Sequence, residues 1–335
     1  MTTRYAESHK PENRNGPGDS RPTALQIVKD NDLEGKLTDK VAFVTGTSSG
    51  IGIETVRALK ATGVKVYAAV RNLEKGRKAL ADQLEPGHVE LILLDTSSFD
   101  SVRNAVKEFL SKESKLNLLI NNAGIMAVPE LTLTADGQEV QFQTNHLGHF
   151  LLFQLLKPTL LASSTPEFHS RVVNVGSTGH RVCGVHFDDL SLSQPGAYQP
   201  FVGYGQSKTA NIYMANEIER RYGGQGLHGW SLHPGGFSSG LQVHQDFGDL
   251  INVPEVRRYL KSLEQGASTT LVAALDKELE GKGGKFLQDT QVAPPVDPEV
   301  EQLSIAPGYA TWAYDVESAK KLWEVSNKIV GVNDD

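Results

Sequence analysis

The chain has 335 residues, enough for one large domain or two small ones. With 39% hydrophobic residues, 22% charged residues and a net charge of −7, it has ordinary globular composition and lacks the cationic excess of a nucleic-acid binder. Its single cysteine, Cys183, rules out an intrachain disulfide, and no run reaches the ~18 apolar residues of a membrane span.

Residues 1–22 are polar, rich in Arg, Asn, Pro, Gly, Ser and Glu, and read as a flexible tail with no signal-peptide core. A cytoplasmic protein is the resulting expectation. Residues 23–36 have the pattern of a short amphipathic helix. From residue 40 short apolar runs alternate with helix-length amphipathic stretches. The runs are "VAFVT" (41–45), "KVYAAV" (65–70), "ELILL" (90–94), "LNLLI" (116–120), "RVVNV" (171–175), "GWSL" (229–232) and "GKFL" (284–287). Most are apolar throughout, as strands covered on both faces must be. The stretches between them predict helices near 50–61, 74–84, 99–112, 137–157, 205–222, 265–276 and 316–328. The pattern predicts a single α/β domain over 23–335, a Rossmann-type doubly wound parallel sheet of about seven strands. Two long intervals, 178–203 and 235–264, follow strand ends and are expected to be substrate loops.

"TGTSSGIG" (45–52) joins the first strand to a helix. Gly46, Gly50 and Gly52 permit a tight turn and close approach of a pyrophosphate. Ser48, Ser49 and Ile51 complete a loop whose helix N-terminus presents free N–H groups to an anion. A plain flexible turn is the bland alternative. The second strand ends at Val70 and is followed by Arg71, where an NAD site would carry an acid. A guanidinium fork matches a phosphate, so Arg71 favours NADP(H), with Lys75 as a second partner. Asp95, with the Thr96 backbone, is placed to accept an adenine amino group, although an Asx turn explains it nearly as well. In "NNAG" (121–124), Asn121 and Asn122 can pair with loop backbones, while Ala123 and Gly124 leave room for a ribose.

Thr-Gly-x-x-x-Gly-x-Gly at 45–52, Asn-Asn-Ala-Gly at 121–124, Ser177 at a strand end, Tyr-x-x-x-Lys at 204–208 and Pro-Gly at 234–235 occur in that order. Over residues 38–290 the chain resembles a short-chain dehydrogenase/reductase. "NHLGHF" (145–150), "VRNLEKG" (70–76), the long Ser177–Tyr204 interval and "LHPGG" (232–236) resemble the branch of retinol dehydrogenases and WW-domain-containing oxidoreductases. No WW domain or N-terminal membrane anchor is visible.

Tyr204 and Lys208, at i and i+4, share one helix face. A lysine cation there is expected to lower the phenol from its usual value near ~10. Tyr204 would then donate a proton in carbonyl reduction and accept one in alcohol oxidation. Ser177 would hydrogen-bond the substrate oxygen. The resemblance implies that Asn145 holds a proton-relaying water. It also implies that Lys208 reaches the nicotinamide ribose, and that Pro234, Gly235, Phe237 and Ser239 line the nicotinamide. Phe237 replaces a more usual Val or Ile, and Gly176 replaces a common first serine. Tyr213, at the far end of the same helix, is expected only to pack. His146 and His149 lack an HExxH pattern, and His180, His186 and His233 are scattered, so no metal is expected.

These residues together predict an NADP(H)-dependent oxidoreductase interconverting a ketone or aldehyde and an alcohol. The substrate would be an apolar or aromatic small molecule, with Phe187, Tyr198, Phe201, Leu241 and Phe247 as pocket walls. The resemblance implies a homodimer or homotetramer formed through the helices at 137–157 and 205–222. Two alternatives stand beside this: a catalytically silent NADP(H)-sensing protein, and a biosynthetic reductase or epimerase acting on a multifunctional substrate.

Overall fold

The strands β1 (Val41–Thr45), β2 (Lys65–Val70), β3 (Val89–Leu93), β4 (Leu118–Asn121), β5 (Ser170–Val175), β6 (Leu227–His233), β7 (Lys285–Gln288) and β8 (Gln291–Val292) form one sheet. Their order is β3-β2-β1-β4-β5-β6-β7-β8 in a computed structural model that describes residues 3–244, 252–297, 299 and 306–333. Every pairing is parallel except β7 with β8. The order reverses between β1 and β4, which opens a crevice at the C-terminal strand ends. The expected parallel sheet is therefore present, with an eighth strand added. That strand escapes a reading of apolar runs because it is two residues long. It folds back through a two-residue turn in which Asp289 and Thr290 both have positive φ, 52° and 61°, as a tight hairpin turn requires.

Two apolar layers cover the sheet. On one face Ile27, Val28, Leu59 and Leu271 pack with Trp230 of β6. On the other, Phe43, Tyr67, Phe109, Phe150, Phe153, Met214 and Trp323 share one cluster, with Phe109 edge-on to Phe43 and Tyr67 and with Phe150 and Phe153 against Trp323. Burying each such large side chain contributes roughly 1.5–3 kcal/mol. Residues of β1, β4 and β5 are buried throughout, which is why their sequences do not alternate.

The N-terminal segment departs from expectation. Residues 1–22 were expected to be a flexible tail, yet His9, Arg14 and Arg21 are buried, 4%, 9% and 3% exposed. Polar composition misled here because these residues bind polar groups of the domain rather than water. Thr23 then caps the helix Ala24–Asp30 by accepting the Gln26 N–H. At the other end, the helix Val316–Val330 lies over the helices Gly148–Ser163 and Pro200–Tyr222. The Phe150 and Trp323 rings meet edge-on at 5.0 Å, and Gln154 Nε2 donates to Asn327 at 2.8 Å. The helix pair that the resemblance assigns to subunit contact is thus covered there by the chain itself.

No helix among the described residues is long and apolar enough to cross a membrane. Phe247 and part of the 235–264 loop lie outside the described residues.

Candidate active site

The turn between β1 and the helix Ile51–Ala61 is set by close backbone packing. Gly46 and Gly50 have φ of 72° and 62°. A Cβ on Gly46 would stand 2.7 Å from Ala123 Cα, and one on Gly52 would stand 2.3 Å from the Gly46 carbonyl oxygen. Asn122 locks the turn by donating through Nδ2 to the carbonyls of Thr45 and Gly46, at 2.9 and 3.1 Å. Thr45 Oγ1 accepts the N–H groups of Asn122 and Ala123, each at 2.9 Å. Its own proton goes to His149 Nε2, 2.9 Å away. The tautomer follows from the other ring nitrogen, since His149 Nδ1 lies 3.0 Å from the Asn145 carbonyl, which can only accept. Burial lowers this imidazole to about 4, so it is neutral at pH 7. Sequence reading missed His149. A histidine within a helix gives no sign of a partner 104 residues earlier.

Beyond this turn, Arg71 is exposed directly after β2, and Lys75 is exposed one turn further on. Ala69 at the end of β2 accepts the N–H groups of Gly46 and Thr47, which brings the two strand ends together. Asp95 forms the Asx turn: Oδ1 accepts the N–H and Oγ–H of Ser97 at 2.9 and 2.6 Å. Thr96 is buried against Gly148, where a Cβ would stand 2.1 Å from the Thr96 oxygen. Gly148 is a second feature that sequence reading passed over.

Ser177, Tyr204 and Lys208 converge beyond the end of β5. Ser177 caps a short turn by accepting the Gly179 N–H at 3.0 Å. The Tyr204 ring passes so close to Gly179 that a Cβ there would stand 2.7 Å from ring atom Cε1. Burial pushes the Tyr204 phenol up to about 12, and a hydrogen bond with Ser177 opposes that. Burial likewise lowers the Lys208 ammonium to about 8. This corrects the expectation that the lysine depresses the phenol: in the folded chain burial dominates both groups. Lys208 Nζ lies 5.6 Å from the Tyr204 ring centroid and donates to the Val175 carbonyl at 2.9 Å. That carbonyl also accepts from Asn211, whose own oxygen receives Asn174, which in turn accepts from Asn121.

Asn145 occupies a π-helical turn, Gln143–Leu147, a rare form found mostly at functional positions. Its Oδ1 accepts the Ile125 N–H at 2.9 Å. Its Nδ2 donates to the Ile125 carbonyl at 3.0 Å and to Ser207 Oγ at 2.9 Å. Ser207 passes its proton to the Tyr204 carbonyl. The amide thus ties the Ile125 backbone to Ser207, next to Lys208 in the helix. Gly124 packs closely in front: a Cβ there would stand 3.1 Å from Asn145 Oδ1 and 3.6 Å from Lys208 Nζ.

Past β6, Gly235 has φ 104°. The Phe237 side chain packs into the core with Ile51, and Gly266 leaves room for its ring. The unusual aromatic is thereby accommodated. Ser239 and Gln242 form a reciprocal cap. A Cβ on Gly50 would meet the Ser239 side chain at 3.5 Å, so the loops after β1 and β6 approach each other there. The glycine turn, the helix N-terminus with no side-chain cap and the exposed Arg71 together fit a dinucleotide laid from β2 across β1 and β4 toward Tyr204.

The expected pocket walls divide. Tyr198 donates through its hydroxyl to the Val128 carbonyl at 2.7 Å and acts as a brace. Phe187 packs outward under Lys321, whose Nζ is 4.6 Å from the ring centroid, and so does not line the site. Phe201 and Leu241 are half-buried. Tyr213 packs as expected, bonding the Trp312 carbonyl at 3.0 Å. His146 and His149 point to different partners, Ser326 and Thr45.

A family model described as short chain dehydrogenase matches residues 40–189. The Short-chain dehydrogenase/reductase prx1 of Penicillium roqueforti is 56% identical, covering 96% of this chain and 94% of its own. Retinol dehydrogenase 11 of Homo sapiens is 36% identical over 89% of this chain and 87% of its own. The WW domain-containing oxidoreductase of Gallus gallus is 35% identical over 93% and 72%. Among solved structures, an uncharacterised protein from Mycobacterium Paratuberculosis superposes with a TM-score of 0.66 at 31% identity, covering 90% of this chain and 97% of that one.

Proposed function

This chain belongs to the short-chain dehydrogenase/reductase family and is an oxidoreductase acting on CH–OH groups; from that premise we propose that it uses NADP(H) to interconvert a carbonyl and an alcohol on an apolar small molecule. The observation that carries the reading is the convergence of Ser177, Tyr204 and Lys208 at the end of β5, with the backbone of Gly124 packed against Asn145 and Lys208 before them.

Bound nicotinamide would supply or take up hydride. The chain's own residues handle the proton. In reduction, Tyr204 donates its phenolic proton to the carbonyl oxygen while Ser177 holds that oxygen by a hydrogen bond. Lys208 supplies positive charge beside the phenolate as it forms. Asn145 positions the helix turn beneath. In oxidation the same proton returns from the alcohol to Tyr204. The glycine turn with Ser48, Ser49 and Ile51 would hold the pyrophosphate. Asn122, Ala123 and Gly124 would flank the nicotinamide ribose, and Pro234, Gly235, Phe237 and Ser239 the nicotinamide. Arg71 supports NADP(H), because an exposed guanidinium after β2 stands where an acid would favour NAD. The Asp95 carboxylate and the Thr96 backbone would meet the adenine.

The single cysteine agrees with a reducing, cytoplasmic site of action. The C-terminal helix over the expected subunit face supports a monomer at that surface.

A panel of apolar ketones and aldehydes with NADPH tests the reading. Oxidation of NADPH by some member is expected. Tight NADPH binding without turnover of any carbonyl or alcohol would point instead to a sensing protein.

A further inference from the structure

The turn that follows β6 is held from below by one buried lysine. Lys261 is 4% exposed. Its backbone N–H donates to the Gly236 carbonyl at 2.8 Å, and its Nζ reaches the Pro234 carbonyl at 3.4 Å. The two bonds bracket Gly235. The lysine stem fills the place a side chain at 235 would take, since a Cβ there would lie 2.8, 2.9 and 3.0 Å from Lys261 Cδ, Cε and Nζ. The turn and the lysine therefore fit as one unit.

A buried ammonium needs a counter-charge. Asp289 Oδ1 provides it at 2.8 Å, presented by the left-handed β7–β8 turn. Burial opposes ionisation of Asp289, but Lys261 and His9 outweigh it and hold the carboxyl well below the ordinary range. The carboxylate is shared with the N-terminal segment: Arg14 lies 3.3 Å from Oδ2 and His9 Nδ1 lies 3.3 Å from Oδ1. The same segment grips the residues just before Lys261. Arg21 donates to the Tyr259 and Leu260 carbonyls at 2.9 and 2.5 Å. Gln265 accepts the Gly18 N–H at 3.0 Å and donates to the Asp19 and Arg21 carbonyls. Three stretches distant in sequence, 9–21, 258–265 and 289, thus meet behind Pro234–Gly236.

We propose that Lys261 is a positioning residue for the nicotinamide end of the cofactor cradle, and that residues 9–21 are the clamp that keeps it there. The proposal rests on the NADP(H) reading above. It assigns the N-terminal segment a role in cofactor binding, exerted through Lys261, Asp289 and the stretch 258–265. The adenosine end, at Gly46–Gly52 and Arg71, shares none of these contacts, so the effect should be confined to one half of the dinucleotide.

Binding titrations on the full chain test this without measuring activity. The probes are NADP+ and 2′,5′-ADP, which carries the adenosine half alone. Lys261→Met removes the ammonium, while Asp289 retains Arg14. We expect its NADP+ Kd to rise about tenfold, the loss of one well-placed polar contact, with 2′,5′-ADP unchanged within about twofold. The enhancement of NADPH fluorescence on binding should fall in parallel. Unchanged NADP+ affinity, or equal weakening of both probes, would overturn the proposal. If Lys261→Met does not fold, Arg14→Gln at the protein edge carries the same titrations. There about a threefold loss for NADP+ alone supports the clamp, and no loss refutes it. If the wild-type chain binds neither probe, the cofactor reading itself fails and the clamp falls with it.

Discussion

The two ends of the proposed cradle are built in different ways. The adenosine end is assembled from neighbouring strands. Gly46, Gly52 and Asn122 pack backbone on backbone, and Arg71 and Lys75 remain in solvent. The nicotinamide end is assembled from distant segments and buried polar groups. Lys208, Asn145, Lys261 and Asp289 are each at most 9% exposed, and their partners come from residues 9 to 289. The first end is a rigid shape, proposed to receive the pyrophosphate. The second is an electrostatic arrangement in which removing one member strands another. Substitutions should therefore act at the first end through sterics and cofactor choice, and at the second through catalysis and pH.

The largest effect is expected at the second end. Lys208→Met should lower kcat/KM for carbonyl reduction by about 10²–10⁴-fold, with the melting temperature maintained or raised, since a buried charge is removed. Steady-state kinetics with a fixed carbonyl and scanning calorimetry read both quantities. An unaltered kcat/KM would remove the lysine from the chemistry.

At the first end, Gly52→Ala puts a Cβ 2.3 Å from the Gly46 oxygen. It should destabilise the fold by about 1–3 kcal/mol in denaturant unfolding and weaken NADP+ and 2′,5′-ADP alike. Selective loss of NADP+ would show that the two ends are not separable.

Arg71→Ala should cost about 1.5–3 kcal/mol of NADPH binding, the range for a hydrogen bond to a charged group. NADH affinity should hardly move. Equal losses for both cofactors would mean that Arg71 does not read the 2′-phosphate.

The smallest effect is a pH profile. Lys208 is held at about 8 by burial. Reduction needs the Tyr204 proton, present throughout because the phenol is held near about 12, and the Lys208 charge, which is lost as pH rises through about 8. The reduction rate should be flat at low pH and decline above that value. A profile level to pH 10 would show that the cation is not needed.

The difference between the two ends also explains what could be read from sequence. The turn at 45–52 and its packing against "NNAG" at 121–124 were legible because their structure is local: a strand, a glycine spacing and a helix start lie within ten residues. Tyr204 and Lys208 were legible for the same reason, being one helical turn apart. Asp95 was legible only as a choice between two readings, and its Asx turn is formed. His149, Gly148 and Lys261 gave no local signal. Each acquires its role from a partner that only the folded sheet brings near: Thr45, Thr96 and Asp289. The N-terminal segment was misjudged on the same grounds. Its composition is that of a solvated chain, yet Arg14 and Arg21 find carboxylates and carbonyls 237 or more residues away. The opposite charges of Arg21 and Asp19, 2.8 Å apart and nearly buried, complete that surface.

The central claim is that Tyr204 is the proton donor at a site otherwise intact. Tyr204→Phe removes one oxygen from a ring packed over Gly179 and leaves the surrounding shape unchanged. Turnover of a carbonyl accepted by the wild-type chain should be measured alongside the NADP+ dissociation constant. The account predicts that kcat falls by about 10²–10⁴-fold while the dissociation constant stays within about twofold. Retained turnover in that variant would contradict it.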